Sequence, residues 1–398
     1  MTFQRSRSRG PQRSHNQFNN RGGGRGGGMR IRYMNVDPRI LVKKAVPQIE
    51  QLYTAVHTFA DFPFNPIIQK NIAATGFTSP TPIQDQAIEK MLAGQDVIGL
   101  AATGTGKTAA FLLPIIQKIA EDPQQKAIII TPTRELASQI IDEGRTFSRG
   151  LHCYFALIIG GVPLGRQISD IRRGSQIVVG TPGRIKDLTE RGVIHLNQYQ
   201  TIVLDEVDRM LDMGFINDIS GIIAQLPQKR HSLFFSATMS PAAQKLAESF
   251  LVNPATVRVS TQSASINVDQ DVVRIAGRNK IDVLHDLLKS PGFDKVLVFG
   301  RTKHGMNKLS EALEERGFKT AAIHGNKSQS QRQRALDSFK ANRIQILLAT
   351  DVASRGIDID NVSHVINYEL PETYEDYIHR IGRTGRANKT GIALTFIE

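Results

Sequence analysis

The sequence predicts an α/β fold of two tandem domains, each an open parallel sheet flanked by helices. Three observations predict it. The chain has 398 residues, enough for two cores of ordinary size. Short runs of β-branched and aromatic residues alternate with longer stretches of helical character, as parallel strands joined by crossover helices require. These runs fall into two series with a polar stretch between them.

The first series is DVIGLA (96–101), AIIIT (127–131), FALIIG (155–160), QIVVGT (176–181), TIVLDE (201–206) and SLFFSAT (232–238). STQSASINV (260–268), rich in Ser, Gln and Asn, reads as a linker. The second series is DVVRIA (271–276), KVLVFG (295–300), TAAIHG (320–325), IQILLAT (344–350), HVINYE (364–369) and IALTFI (392–397). This divides the chain into an arm (1–36), an extension with no assignable motif (37–58), a first domain (59–259), the linker and a second domain (269–398).

Charge is uneven. The formal net charge is +13, and residues 1–36 hold eight arginines, no lysine and no acid, so the arm supplies +8 and the remainder +5. With RGGGRGGG (21–28) beside Asn, Gln and Ser, the arm cannot bury enough apolar surface to order itself. It reads as a disordered RNA tether whose guanidinium groups pair with phosphates and stack on bases, or as a solubilising tail. No run of about 18 apolar residues and no signal peptide pattern is present, which points to a soluble, cytoplasmic protein without a membrane partner. The lone Cys153 has no disulfide partner in the chain and reads as a core residue, and no Cys/His cluster has zinc spacing.

The chemistry concentrates at two places. AATGTGKTAAF (101–111) lies between a strand run and a helix, so Ala102, Thr103, Gly104, Thr105 and Gly106 form a phosphate-binding loop. Lys107 adds positive charge there, and the Thr108 hydroxyl can bind Mg²⁺; the generic pattern has glycine where Ala101 stands. The second place is TIVLDEVD, where Asp205, Glu206 and Asp208 crowd together at a strand end. Carboxylates that close repel one another, so a cation should face them, and Mg²⁺ shared by Thr108 and Asp205 supplies it. Glu206 is then placed to orient and deprotonate a water attacking ATP.

With these motifs in place, the chain resembles the DEAD-box family of ATP-dependent RNA helicases, of bacterial type, over residues 59–398. GFTSPTPIQ (76–84) with Phe59 upstream, AATGTGKT, PTRELA (132–137), Gly160-Gly161, TPGR (181–184), DEVD and SAT (236–238) follow the family's order. VFGRTK (298–303), Gln329 with Arg332, ATDVASRGIDI (349–359) and HRIGRTGRA (379–387) continue it. The resemblance implies two RecA-like domains and an ATPase coupled to RNA. It implies that Gln84 reads the adenine edge with Phe59 and Phe77 as aromatic walls, and that Asp358 contacts the ribose. Arg383 and Arg386 would be arginine fingers reaching across the cleft. Asp208, Ser236, Thr238 and His379 would couple nucleotide to RNA, and Arg134, Gly161, Gly183, Arg184, Gln329, Arg332 and Thr350 would contact RNA. RNA is the implied partner, single-stranded or in short duplexes and read with little sequence preference. Proteins of ribosome assembly, ribonucleoprotein or degradosome type and a monomeric core are further implications. Val207 departs from the alanine of the family's defining box, which implies a slightly altered fit there. An ATP-regulated RNA clamp or annealing chaperone without useful unwinding is the alternative reading.

Overall fold

The computed structural model describes residues 41–45, 53–259, 267–351, 359, 362–385 and 390–398. The arm, Asp358 and Arg386 lie outside the described residues.

The first domain runs α1 (Pro66–Ala74), α2 (Pro82–Leu92), β1 (Val97–Leu100), α3 (Lys107–Glu121), β2 (Ala127–Ile130), α4 (Arg134–Phe147), β3 (Phe155–Ile158) and α5 (Leu164–Arg172). It continues with β4 (Ile177–Gly180), α6 (Pro182–Glu190), β5 (Thr201–Leu204), α7 (Val207–Asp212), α8 (Ile216–Ile223), β6 (His231–Ser236), α9 (Pro241–Phe250) and β7 (Ala255–Arg258). The second domain runs β8 (Val268–Arg274), α10 (Lys280–Leu288), β9 (Val296–Phe299), α11 (Lys303–Glu314) and β10 (Thr320–Ile323). It ends with α12 (Gln329–Lys340), β11 (Ile346–Ala349), β12 (His364–Asn367), α13 (Tyr374–Ile381) and β13 (Gly391–Ile397).

The strands pair in parallel as β3-β4-β2-β5-β6-β1-β7 and β10-β11-β9-β12-β13-β8. Every anticipated run lands on a strand. β7 was not anticipated, because in Ala-Thr-Val-Arg only Val257 faces the core of this edge strand. Val268, assigned to the linker, instead opens β8, and residues 260–266 lie outside the described residues.

Continuous apolar strands are what a sheet covered on both faces demands. One face of the first sheet packs on Phe111, Ile115 and Ile140 from α3 and α4, and the other on Ile185, Met210 and Ile219 from α6 to α8. Gly99 in β1 is required by close approach, since a Cβ there would sit 2.4 Å from the Phe235 ring. Val207 is fully buried in the second of these layers with Leu204, Met210 and Phe234, so the departure from alanine fills apolar space without meeting solvent. Cys153 is buried, as expected, and burial pushes its thiol up to about 12.

Helix starts are fixed by short polar caps directly after strands. Thr133 accepts from Leu136 N at the start of α4, and Ser328 accepts from Gln331 N at the start of α12. Arg134 and Gln329 are therefore first-turn residues at the carboxyl edges of the sheets, where open α/β folds carry ligands.

Candidate functional site

The loop after β1 turns through two glycines in left-handed conformation, Gly104 (φ 83°) and Gly106 (φ 90°). Gly106 is doubly constrained, because a Cβ there would also meet Gln84 Nε2 at 2.5 Å. Thr105 Oγ1 donates to Ala102 O at 2.8 Å, closing the loop on itself, and Lys107 Nζ donates to Ala101 O at 2.7 Å. α3 begins at Lys107 with no side-chain cap, so its first N–H groups are left to an anion.

Asp205 and Glu206 follow β5, which is separated from β1 by β6. Thr103 Oγ1 donates to Glu206 Oε1 at 3.4 Å, so the loop and the acids are in contact, as the sequence anticipates. Burial pushes the Asp205 carboxyl up to about 7; Lys107 opposes this, and Glu206 and Asp208 reinforce it. One buried carboxylate with the Thr108 hydroxyl suits a cation that keeps water and phosphate oxygens as its other ligands, which is the habit of Mg²⁺. Among the described residues no cluster of three or more His, Cys, Asp or Glu is arranged to hold a metal ion.

Glu206 adopts the left-handed conformation (φ 53°), uncommon for a residue with a side chain. Its carboxylate accepts from Arg209 Nη1 at 2.8 Å, and both side chains are buried. Sequence reasoning missed this ion pair, although the i,i+3 spacing at the start of a helix was a usable signal.

Gln84 is buried, with both polar ends engaged: Oε1 accepts from Thr81 N at 2.9 Å and Nε2 donates to Gly106 O at 3.1 Å. Phe59 and Phe77 stack on each other with centroids 6.1 Å apart, and Phe77 packs on Phe147. The two rings expected as aromatic walls for the adenine thus form one continuous aromatic surface with Phe147.

The first-domain residues expected to couple nucleotide to RNA come together. Asp208 Oδ2 accepts from Ala237 N and Thr238 N at 3.0 Å each and from Thr238 Oγ1 at 3.3 Å, while Ser236 Oγ accepts from Asp208 N and donates to Thr238 O. His379 lies on α13 in the second domain.

Arg134 lies against the glycine pair, where a Cβ on Gly161 would stand 2.3 Å from its Nη1. Burial lowers the Arg134 guanidinium from its ordinary value, and Arg332 and Arg184 lower it further as neighbouring like charges. Gly183 lies in the first turn of α6 with open space around it. Gln329 and Arg332, expected at RNA, both reach Glu135 of the first domain in this structure. Gln329 Nε2 donates to Glu135 Oε1 at 3.0 Å and Arg332 Nε stands 2.9 Å from the same oxygen. Glu135 was not anticipated, since nothing in a sequence pairs residues this far apart.

In the second domain Arg383 is buried just beyond α13, and Thr350 is buried after β11. The buried Arg380, also unassigned beforehand, binds Asp351 through Nε and Nη2, Glu369 O and Asn367 Oδ1 through Nη1, and lies over the Phe299 ring. It ties the segment following β11 to the helix that carries His379 and precedes Arg383.

Residues 81–246 match the DEAD/DEAH box helicase family and residues 279–388 the helicase conserved C-terminal domain. The chain is 45% identical over 342 residues to the DEAD-box ATP-dependent RNA helicase CshA of Bacillus subtilis, covering 85% of this chain and 69% of that protein. The chain belongs to the DEAD-box ATP-dependent RNA helicases. The CshA of Geobacillus kaustophilus is 43% identical to this helicase, covering 85% of the chain and 73% of that protein. Among solved structures, S. cerevisiae Dbp5 bound to RNA and ADP BeF3 superposes on the helicase with TM-score 0.75 at 32% identity, covering 86% of this chain and 89% of that one. A DEAD box protein from Methanococcus jannaschii, 40% identical over 85% of this chain and 93% of that one, gives 0.51.

Proposed function

We propose that this helicase couples ATP hydrolysis to RNA binding across its two domains, and that the coupling separates short duplexes or remodels ribonucleoproteins. Lys107 and the amides of Ala102 to Gly106 hold the phosphates, Gln84 reads the base edge beside Phe59 and Phe77, and Asp358 binds the ribose. Thr108 and Asp205 hold Mg²⁺, which when bound neutralises charge developing on the phosphates. Glu206 orients the attacking water and takes its proton, while Arg383 and Arg386 stabilise the transferring phosphoryl group from the second domain. Making those guanidinium groups available only when the domains meet makes hydrolysis conditional on RNA.

The observation that carries the RNA assignment is Arg134 packed against Gly160 and Gly161, with Arg184 and Arg332 near enough to lower its guanidinium and the Glu135 link between domains beside it. Glu135 meets Arg332 and Asp187 lies 3.6 Å from Arg184, and a phosphate backbone would supply further anions along the same surface. Gly183 and Thr350 extend that track. Gln329 and Arg332 serve it from the second domain by holding Glu135. Through Asp208, Ser236, Thr238 and His379 the state of the nucleotide reaches the RNA. The enzyme acts as a cytoplasmic monomer core with proteins of ribonucleoprotein, ribosome-assembly or degradosome type as partners; no helix among the described residues is long and apolar enough to cross a membrane.

The test is steady-state ATP hydrolysis with and without generic single-stranded RNA, for wild type and Lys107→Ala. RNA should raise the wild-type rate several-fold and leave the variant silent. Hydrolysis indifferent to RNA in a protein that still binds RNA would replace this reading with the ATP-regulated clamp.

A further inference from the structure

Asp85 is the immediate neighbour of Gln84 on α2, and its side chain is buried. Both of its oxygens are doubly engaged by the segment 53–57. Oδ2 accepts from Tyr53 Oη at 2.6 Å and Val56 N at 2.8 Å; Oδ1 accepts from His57 N at 3.1 Å and lies 2.7 Å from His57 Nδ1. Burial works to raise this carboxyl, and the hydrogen bonds from Tyr53, Val56 and His57 outweigh it, holding the group below its usual range. The other buried residues of α2 include Ile83, Ala87 and Ile88, so packing alone would be served by one more apolar side chain without the cost of desolvating a carboxylate.

The segment that Asp85 grips leads directly into the aromatic surface. Thr58, next after His57, donates to Asp61 Oδ2 through its N–H at 2.6 Å and its hydroxyl at 2.9 Å, closing a turn that contains Phe59. Phe59 is buried and backs the exposed ring of Phe77, while the His57 ring packs on Phe62 with centroids 5.4 Å apart. The turn sets its own shape. Asp85 sets its place against the helix that carries Gln84.

We propose that Asp85 is a positioning residue for the base, holding segment 53–57 so that the surface of Phe59 and Phe77 stays in register with Gln84. The inference rests on the reading of Gln84, Phe59 and Phe77 as the base site. Gln84 and Asp85 are adjacent on one helix, so a shift of the segment relative to Asp85 is a shift of the rings relative to Gln84. Without the grip, the arrangement that accepts the base is one of several, and affinity falls by the fraction of time it is occupied.

The test is calorimetric titration of the full chain with ADP and with GDP in the presence of Mg²⁺, with circular dichroism confirming that each variant folds. Asp85→Ala should raise the dissociation constant for ADP about five- to tenfold, as expected where the competent arrangement is occupied a tenth to a fifth of the time. That for GDP should stay within about twofold, so the preference for adenine narrows. Asp85→Asn, which keeps one acceptor oxygen, should fall between Asp85→Ala and wild type. Tyr53→Phe with His57→Ala removes two of the donors, leaves Asp85 in place and should weaken ADP roughly threefold, again without moving GDP. A carboxylate that merely stabilised the fold would leave the ratio of the two constants unchanged in every variant that folds. A wild-type ratio in Asp85→Ala, or in the donor variant where Asp85→Ala does not fold, overturns the positioning role alone. A wild type that binds ADP and GDP equally overturns the reading of the base site and the inference with it.

Discussion

Replacing Arg209 with leucine strands the Glu206 carboxylate in the interior. The guanidinium lies 2.8 Å from Glu206 Oε2 and both side chains are buried, so water cannot take its place. Breaking a buried pair by removing one partner costs about 3–5 kcal/mol, most of it the charge left behind. With a urea slope of about 3 kcal/mol per molar, the unfolding midpoint of the first domain should fall by about 1 to 1.7 M. The chain has no tryptophan, so the transition is followed by circular dichroism. Adding Glu206→Gln removes the stranded charge, and the double variant should regain roughly half of the loss, about 2 kcal/mol of coupling. Glu206→Gln alone should cut hydrolysis roughly a hundredfold or more and accumulate an ATP–RNA complex. Two results would refute the reasoning: a midpoint for Arg209→Leu within about 0.2 M of wild type, or a double variant no more stable than Arg209→Leu.

The remaining predictions concern the contact between domains and the foot of the first sheet. Glu135→Gln weakens the tie to Arg332 and should raise the RNA concentration for half-maximal ATPase several-fold, with hydrolysis in the absence of RNA unchanged; equal RNA dependence would show that the contact carries no coupling. His231 is buried, and burial with Lys118 beside it holds its ring down to about 4, against 6.5 in the unfolded chain. The unfolded chain therefore binds the extra proton first, so stability falls as pH drops through 6.5 toward 4, by about 2 kcal/mol at pH 5. Urea midpoints at pH 7 and pH 5 measure the loss, and a His231→Gln variant with an undiminished difference would place its origin elsewhere.

The fold was legible wherever a residue's own neighbours determine its state. Ile128 to Ile130 or Val296 to Phe299 have one stable use in water, which is to be covered on both faces, and their flanking Gly and Thr mark the ends. β7 was hidden because an edge strand buries only Val257 and its pattern is that of a loop. The contact between the glycine loop and DEVD was legible because the two motifs end strands of one sheet. Their supports were not. Arg209 holding Glu206, Arg380 holding Asp351 and Glu135 meeting Gln329 depend on burial and on distances that only the folded chain sets. Asp85, a first-turn acid of α2, carries no signal in the sequence of the Tyr53 and His57 that converge on it in the fold.

The two hydrogen bonds of Gln84 bear on the proposal that it reads the base edge. Its amide already gives to Gly106 O and receives from Thr81 N, so a matching base exchanges one set of partners for another and gains little net affinity from the exchange. A base with the opposite donor pattern breaks those bonds and restores none of them. Choice among nucleotides thus becomes a matter of exclusion, with the wrong base penalised more than the right one is rewarded. Because Gly106 is the last residue before α3, each such exchange also frees or fastens the hinge of the phosphate cradle. On that proposal, the identity of the base would be registered at the loop proposed to hold the phosphates.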